Sequence, residues 1–528
     1  MQTMDVEVLI IGAGATGTGI ARDLALRGVS SVVVERADVN SGASGGNHGL
    51  LHSGGRYVSS DPEAARKCRE EGALLKHLAP QCVEDCGGLF VAMAGDDERF
   101  IADYPGWCKN AGINAQALDP AQARELEPCL SPDVIAAFRV PDASIDPFML
   151  SLENLAHAKA LAGTTLMRRT AVRRFDVDGG RIVRAHLENT VTGAWSVIEP
   201  AQVVNVAGAW SGRVAALAGA DIPVLCSQGT LLVTHERLAG RVINRLRPPG
   251  DGDILVPGGT VSILGTTSVT IPDPDKARPT VTEVNVNLRN GSAMIPELAQ
   301  SRYVRAYCGV RPLVSASTGP GDGRTVSRGF ALFDHEGAGL TNFCSVAGGK
   351  LTTFRLMAEK TVDFICARLG VNKPCLTRTE PLPQAAACQW TEPGRGPKLW
   401  TAKHDATDPL LCECEMVSAS AVDEILASCR DEFPEPDLQA LGKRSRIGKG
   451  ACQGAFCGVR VAAHLYETGE FDSRQGLVGM REFFQERFRG QRPILWGTQL
   501  VQAELAEALH CGLLGLELVD PADPQEAL

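Results

Sequence analysis

From Val6 the chain reads Val-Glu-Val-Leu-Ile-Ile, a largely apolar, β-branched run that stops at Gly12 and predicts a buried strand. Apolar residues then recur at helical spacing from about Ala15 to Arg27 and stop at Gly28, which predicts a helix closed by its C-terminal glycine. Residues 31–35, Ser-Val-Val-Val-Glu, predict a second buried strand. Strand, helix and strand in this order form a βαβ unit, the start of a parallel sheet.

The pattern recurs further on. Residues 203–211 predict a strand that runs into a glycine turn and a helix, and residues 342–350 repeat the form ahead of a helix over 351–369. Between them, Val-, Ile- and Thr-rich segments such as 229–234 and 261–270 predict strands of a second, mostly antiparallel sheet. Over 380–409 the periodicity is lost and Pro381, Pro383, Pro393, Pro397 and Pro409 appear, which predicts a linker. A helical stretch near 499–514 precedes a polar tail.

A chain of 528 residues exceeds one ordinary core, and 44% hydrophobic with 22% charged residues is the composition of a soluble globular protein. The net charge of -10 argues against non-specific nucleic-acid binding and against a polybasic membrane anchor. An anionic substrate would therefore need a local basic cluster. No run of 18 apolar residues is present, and no basic segment followed by a cleavable apolar stretch opens the chain, so the expectation is a protein that stays where it is made. Seventeen cysteines in such a chain are expected to be reduced, most of them as small buried hydrophobes.

The turn Gly12-Ala13-Gly14-Ala15-Thr16-Gly17 has the Gly-x-Gly-x-x-Gly spacing of a dinucleotide site, and a strand precedes it while a helix follows. Gly12 allows the tight turn, Gly14 lets the backbone approach a pyrophosphate, and Gly17 lets helix and strand pack closely. The helix N-terminus then presents unpaired N–H groups to the phosphates. Glu35, beside Arg36 at the end of the second strand, is placed to accept hydrogen bonds from ribose hydroxyls, which disfavours NADP. FAD rather than NAD is favoured by the small-residue stretch over 41–49, carrying Ser44, Asn47, His48 and Gly49 ahead of Leu51. It is also favoured by Gly348-Gly349-Lys350, which can aim the start of a second helix, with Leu351 and Thr352, at the anionic part of a reduced flavin. Ala207 and Gly208 complete the cofactor set.

Three segments carry a resemblance: Leu50-Leu51-His52-Ser53-Gly54-Gly55-Arg56-Tyr57, Cys308-Gly309-Val310-Arg311-Pro312-Leu313, and Gly348-Gly349-Lys350-Leu351-Thr352-Thr353-Phe354-Arg355. In this order they resemble the FAD-dependent glycerol-3-phosphate dehydrogenases, over roughly 5–375, and the cysteine-bearing C-terminal part resembles that of the anaerobic, multisubunit branch. The resemblance implies oxidation of sn-glycerol 3-phosphate to dihydroxyacetone phosphate, with Arg56, Arg311 and Lys350 at the substrate and Tyr57 beside them. Arginines suit a phosphate dianion because they donate bidentate, charge-assisted hydrogen bonds. For the base, His52 and Lys350 are the candidates, with His48 third. Where the aerobic enzymes have Lys-Gly-Ser-His, this chain reads Gln228-Gly229-Thr230-Leu231, so no base carries over from that segment.

Cys412-x-Cys414 and, 37 residues later, Cys452-x4-Cys457 form two close pairs that can converge on one metal centre. The lead-in over 446–454 resembles that of bacterioferritin-associated-ferredoxin-like [2Fe-2S] domains. Zinc is the alternative occupant, although its ribbons favour two-residue spacers. Lys443, Arg444 and Arg446 read by default as a solvated basic face.

The expected architecture is a mixed α/β chain in four parts. A glutathione-reductase-like Rossmann FAD domain with an interleaved antiparallel substrate domain spans 1–379, a linker 380–409, a small helical [2Fe-2S] domain 410–465, and a helical extension 466–528. The resemblance further implies partner subunits, one containing flavin and one iron–sulfur, that pass electrons to membrane quinone. They would hold this cytoplasmic chain peripherally at the inner face of the membrane. An amine or hydroxy-acid dehydrogenase, and an electron-transfer protein without its own substrate, are the rival readings.

Overall fold

In the computed structural model, residues 2–314, 329–430, 437–471 and 475–516 are described. The polar tail anticipated beyond residue 514 falls mostly outside them.

The opening strand Gln2–Ile11 lies in an eight-stranded sheet, parallel to Ser31–Val34 on one side and to Trp195–Asn205 on the other. Ser31–Val34 pairs in parallel with Thr165–Met167, and Trp195–Asn205 with Phe343–Gly348. The sheet is buried on both faces because its alternate residues enter different cores. Val8 and Ile10 pack with Ile20, Leu24, Val362 and Ile365, while Leu9 and Ile11 pack with Phe175, Leu187, Ile198 and Phe343. That is why the strands read as unbroken apolar runs and not as alternating ones.

Register places Ile11 opposite both Val34 and Asn205, and Asn205 opposite Ser345, so the carboxyl ends of these strands lie side by side. Open α/β sheets bind ligands in the crevice outside such ends. Helix Ala15–Leu26 starts there, and Gly19 lets it approach helix Phe354–Leu369: a β-carbon on Gly19 would stand 3.0 Å from the Phe354 ring.

A second sheet of nine strands is antiparallel throughout, except where Val242–Arg245 runs parallel to Gly88–Met93. Its longest ladder pairs Val224–Thr234 with Tyr303–Val314. The chain enters this sheet and returns to the first one more than once, so the two units are interleaved.

Residues 380–409 have more structure than a linker reading suggests. Arg22 donates to the Glu380 and Pro381 carbonyls, Leu382 N–H to Leu78 O, and the short helices Ala386–Thr391 and Arg395–Lys403 follow. Beyond them a hairpin, Leu410–Cys412 with Val417–Ser418, leads into helices Ala419–Ser428, Leu438–Arg444 and Cys457–Glu467. Helix Gln475–Gln491 shares their core through Met480, Phe484 and Phe488, packed with Val422, Leu441 and Val461. The cysteine-bearing part and the extension after residue 465 therefore have a common hydrophobic core.

Lys443, Arg444 and Arg446 do not form a solvated face. Arg444 is buried and donates to Asp38 at 2.8 Å, Lys443 reaches the Ser41 hydroxyl, and Arg446 pairs with Glu415 at 3.1 Å. Burial would raise the Asp38 carboxyl, but Arg444 and Arg168 beside it hold it well below the usual carboxylate range. With Arg168 on Asp437 and Arg169 on Glu482, these pairs dock the C-terminal part on the loop that follows the second strand. The correction has a plain cause. A basic run on a helix looks solvent-facing in one dimension, and only the third dimension supplies Asp38.

Candidate active site

A cavity of about 1100 Å³ opens at the carboxyl ends of the parallel strands and extends to the second sheet. Gly12, Gly14, Ala15 and Thr16 line it, with Glu35, Arg36, Ser44, Asn47, His48, Ala207 and Gly208. From the other end come His52, Arg56, Tyr57, Arg311, Gly349, Lys350, Leu351 and Thr352. Residues nearly 340 positions apart thus share one volume.

Gly17, Gly49 and Leu51 do not line the cavity. A β-carbon on Gly17 would collide with the Gly12 carbonyl, so this glycine serves the close helix–strand contact. Gly49 adopts φ 69° with its carbonyl accepting from Ile145 N–H, and Leu51 is buried in the core with Leu75, Ile145 and Met149. Both support the loop from behind. Because Leu50–Leu51 forms a short strand, alternate residues face opposite sides, and Leu50 is the one that reaches the cavity.

At the dinucleotide end, Glu35 accepts from Ala13 N–H and Ala37 N–H, each at 3.0 Å. Burial pushes its carboxyl up, and the two amides counter that. Asn47 folds the glycine-rich loop on itself through Ala43 O, Ser44 O and Gly49 N–H. Tyr307 ties that loop to the second sheet by donating to Asn47 O at 2.8 Å. Gly46 makes the approach possible, since a β-carbon there would lie 2.8 Å from Gly309 Cα. At the outer end, Arg36 stacks over the Trp210 ring at 4.2 Å, and both donate to Asp275. Trp210 and Asp275 had no signal in the sequence, because neither belongs to a spaced motif.

At the other end, His52 Nε2 lies 3.4 Å from the Tyr57 hydroxyl, and Lys350 Nζ lies 4.4 Å from the centre of the Tyr57 ring. The His52 backbone N–H donates to Thr352 Oγ1 at 3.1 Å, which ties the two signature loops together. The next residue, Ser53, is fixed by its N–H on buried Asp142 at 2.7 Å. Gly348 and Gly349 have φ of 87° and 77°, the left-handed region that favours glycine, and turn the chain back toward the cavity. A short 3-10 turn, Leu351–Thr353, intervenes before the α-helix starts at Phe354, one turn later than the periodicity suggests.

Arg311 donates to Thr267 O and to the Thr266 hydroxyl, and its guanidinium lies flat over Gly229. Arg56 contacts Asp253 at 3.4 Å, while its Nη1 is buried with no hydrogen-bond partner. Burial, then Arg311, then Arg56 lower the His48 imidazole to about 3, so it is neutral at pH 7. That both arginines act on His48 shows that they converge. His48 Nδ1 is likewise buried and unpartnered. A wall with two guanidiniums and two orphaned nitrogens is built to receive an anion. Gln228 is fully engaged with Glu283 and Arg278 O, and Leu231 is buried, so neither takes part.

Residues 7–355 match the model of the FAD dependent oxidoreductase family. The catalytic-type chain of the anaerobic glycerol-3-phosphate dehydrogenase of Escherichia coli, one subunit of that enzyme, is 40% identical, over 98% of this chain and 99% of the relative. The chain belongs to this family. The corresponding anaerobic glycerol-3-phosphate dehydrogenase subunit from Haemophilus influenzae is 37% identical over 99% of this chain and 96% of its own, and that from Haloferax volcanii is 36% identical over 98% and 91%. Among solved structures, a glycerol-3-phosphate dehydrogenase from Bacillus halodurans complexed with FAD superposes with a TM-score of 0.64 at 21% identity, covering 93% of this chain and 96% of that one. At that identity the likeness concerns the fold, a mixed α/β oxidoreductase fold. The cavity of this family member suits FAD. It has the length for an extended dinucleotide, a glycine cradle at Gly12 and Gly14, and a carboxylate at Glu35.

Far from the dinucleotide fingerprint in sequence, the four spaced cysteines approach one another. Cys412 Sγ lies 3.9 Å from Cys414 Sγ, which lies 3.7 Å from Cys452 Sγ, and Cys457 interacts with both Cys412 and Cys452. Cys414 is exposed and Cys412 and Cys457 are buried, so the quartet sits at the rim of its module. The thiols stand as a ring of neighbours. Among the described residues no three His, Cys, Asp or Glu side chains are drawn onto a single ion position.

Proposed function

We propose that this chain oxidises sn-glycerol 3-phosphate to dihydroxyacetone phosphate as the catalytic subunit of an anaerobic-type, quinone-linked dehydrogenase. The observation that carries the reading is the convergence of Arg56 and Arg311 on one wall of the cavity that also holds the glycine cradle. Family membership and the names of the relatives support it.

The two guanidiniums hold the phosphate dianion, with the unpartnered Arg56 Nη1 supplying a donor that costs no existing bond. His52 Nε2 takes the proton of the C2 hydroxyl, and Tyr57 keeps the imidazole oriented through its hydroxyl. Lys350, above the Tyr57 ring, offsets the negative charge that develops on the C2 oxygen. FAD, held by Gly12, Gly14, Ala15, Thr16, Glu35 and the loop over 41–48, supplies the hydride acceptor. His48 is held neutral by its surroundings, so it adds no charge to the phosphate wall.

The quartet Cys412, Cys414, Cys452 and Cys457 would hold a [2Fe-2S] cluster, which carries electrons singly. Its four thiols, two of them outside the buried core, suit a thiophilic centre that hands electrons outward. Onward transfer to flavin- and iron–sulfur-containing partner subunits, and from them to membrane quinone, is supported by the naming of the relatives as subunits of a larger enzyme. It is supported too by an exposed apolar stripe, Val501, Leu505, Leu509 and Leu513, along helix Gly497–Leu513 with Trp496 at its start. No helix among the described residues is long and apolar enough to cross a membrane, so in this reading the partners hold the chain at the inner membrane face.

An anaerobic visible spectrum before and after addition of glycerol 3-phosphate tests the proposal. Flavin bands bleached by glycerol 3-phosphate, and left unchanged by glycerol or amino acids, are expected. Bleaching by glycerol or an amino acid with none by the phosphate ester would overturn the substrate assignment.

A further inference from the structure

Helix Gln475–Gln491 touches both candidate centres. Glu486, Arg489 and Gly490 line the large cavity, Glu486 pairs with Arg305 on the strand Tyr303–Val314, and Gly490 packs where a β-carbon would lie 2.8 Å from Ala306 O. Between these residues, Arg487 points the other way. Its Nε donates to Cys452 O at 3.4 Å, its guanidinium stacks over Phe488 at 4.5 Å, and its charge interacts with the Cys452 and Cys457 thiolates. Its Nη1 is buried with no hydrogen-bond partner.

The other arginines around the quartet are engaged elsewhere: Arg446 with Glu415, Arg460 with Glu413 and Arg444 with Asp38. A buried guanidinium with an open donor beside two thiolates is an uncompensated cost unless something anionic sits next to it. We propose that Arg487 is the positioning residue that offsets the negative charge added when the four-cysteine centre takes up one electron, and thereby raises its reduction potential. The charge balance is simple: one electron enters from the reduced flavin, no proton is needed, and the fixed cation stabilises the extra charge. Because the same helix forms part of the cavity wall, the residue that tunes the acceptor is anchored to the donor's site. The inference rests on the [2Fe-2S] reading given above.

The test uses the full chain purified without oxygen. Iron and acid-labile sulfide, about two of each, are expected in the unmodified protein; zinc or no metal would sink the cluster reading, and this inference with it. With the cluster present, a dye-mediated potentiometric titration followed by electron paramagnetic resonance gives its midpoint potential. Arg487→Gln should shift the reduced-to-oxidised ratio at a fixed potential about tenfold toward oxidised, or about 59 mV more negative for a one-electron couple. Arg487→Lys, which keeps the charge, should recover most of that shift. An unchanged potential in Arg487→Gln overturns the role of Arg487 and leaves the cluster reading standing. If Arg487→Gln does not retain the cluster, Arg487→Lys decides: retention supports a need for charge, and equal loss in both variants refutes it.

Discussion

Replacing Gly229 by alanine perturbs the phosphate wall without touching a charged residue. The glycine lies in the strand Val224–Thr234 with ordinary extended backbone, so alanine fits the main chain. Its β-carbon, however, would stand 2.7 Å from Arg311 Nη1 and 2.8 Å from Arg311 Cζ. The strand cannot yield, because its ladder with Tyr303–Val314 runs from Val224 to Thr234. The guanidinium is the far end of a flexible side chain, so it is the part that moves. Hydrogen bonds to charged groups contribute about 1.5–3 kcal/mol. Displacing Arg311 should therefore lower kcat/KM for glycerol 3-phosphate roughly 10- to 150-fold, at about 1.4 kcal/mol per tenfold. The assay is anaerobic dye reduction across a range of substrate concentrations, alongside flavin content and thermal melting of the same preparation. Flavin content and melting temperature should stay near those of the unmodified chain, since the change is confined to one side chain. Normal kcat/KM in Gly229→Ala would refute the placement of Arg311 over Gly229 as the element that positions the phosphate.

Two other outcomes follow from buried charge. Arg355 donates to Glu71 at 2.6 and 2.8 Å with both side chains buried, and joins helix Phe354–Leu369 to helix Pro62–Leu78 behind the Lys350 turn. Arg355→Met should cost about 3–5 kcal/mol because it strands Glu71, and the double variant with Glu71→Leu should recover much of that loss; urea denaturation checks both, and a single variant of unchanged stability would exclude a structural role for the pair. His48 is lowered to about 3 in the folded chain against about 6.5 when unfolded. As pH falls below about 6.5 the unfolded chain binds a proton that the folded chain refuses, so stability drops toward pH 3, by at most about 1.4 kcal/mol per pH unit. His48→Asn should flatten the pH dependence of melting between pH 6.5 and 4, and an unchanged slope would show that His48 is not held neutral.

How much of this was legible in one dimension follows from the range of the interactions. The βαβ start, the glycine turn, Glu35 and the four cysteines were readable because each depends on neighbours a few residues away, or on residue types whose spacing is itself the signal. Periodicity also foretold two kinds of sheet, since strands buried on both faces and strands that pack one face leave different patterns.

What the tertiary structure decided is which of those residues face each other. Leu51 and Leu50 are adjacent in the chain, yet one supports the core and the other lines the cavity, because a strand turns successive side chains to opposite sides. Thr266 and Thr267 under Arg311, Asp253 beside Arg56, and Asp142 behind Ser53 come from distant segments with no motif to mark them. The basic run 443–446 looked exposed until Asp38, some 400 residues earlier, was found against it. Arg487 was invisible for the same reason: its partner is a backbone carbonyl, which every residue has and no sequence pattern can single out.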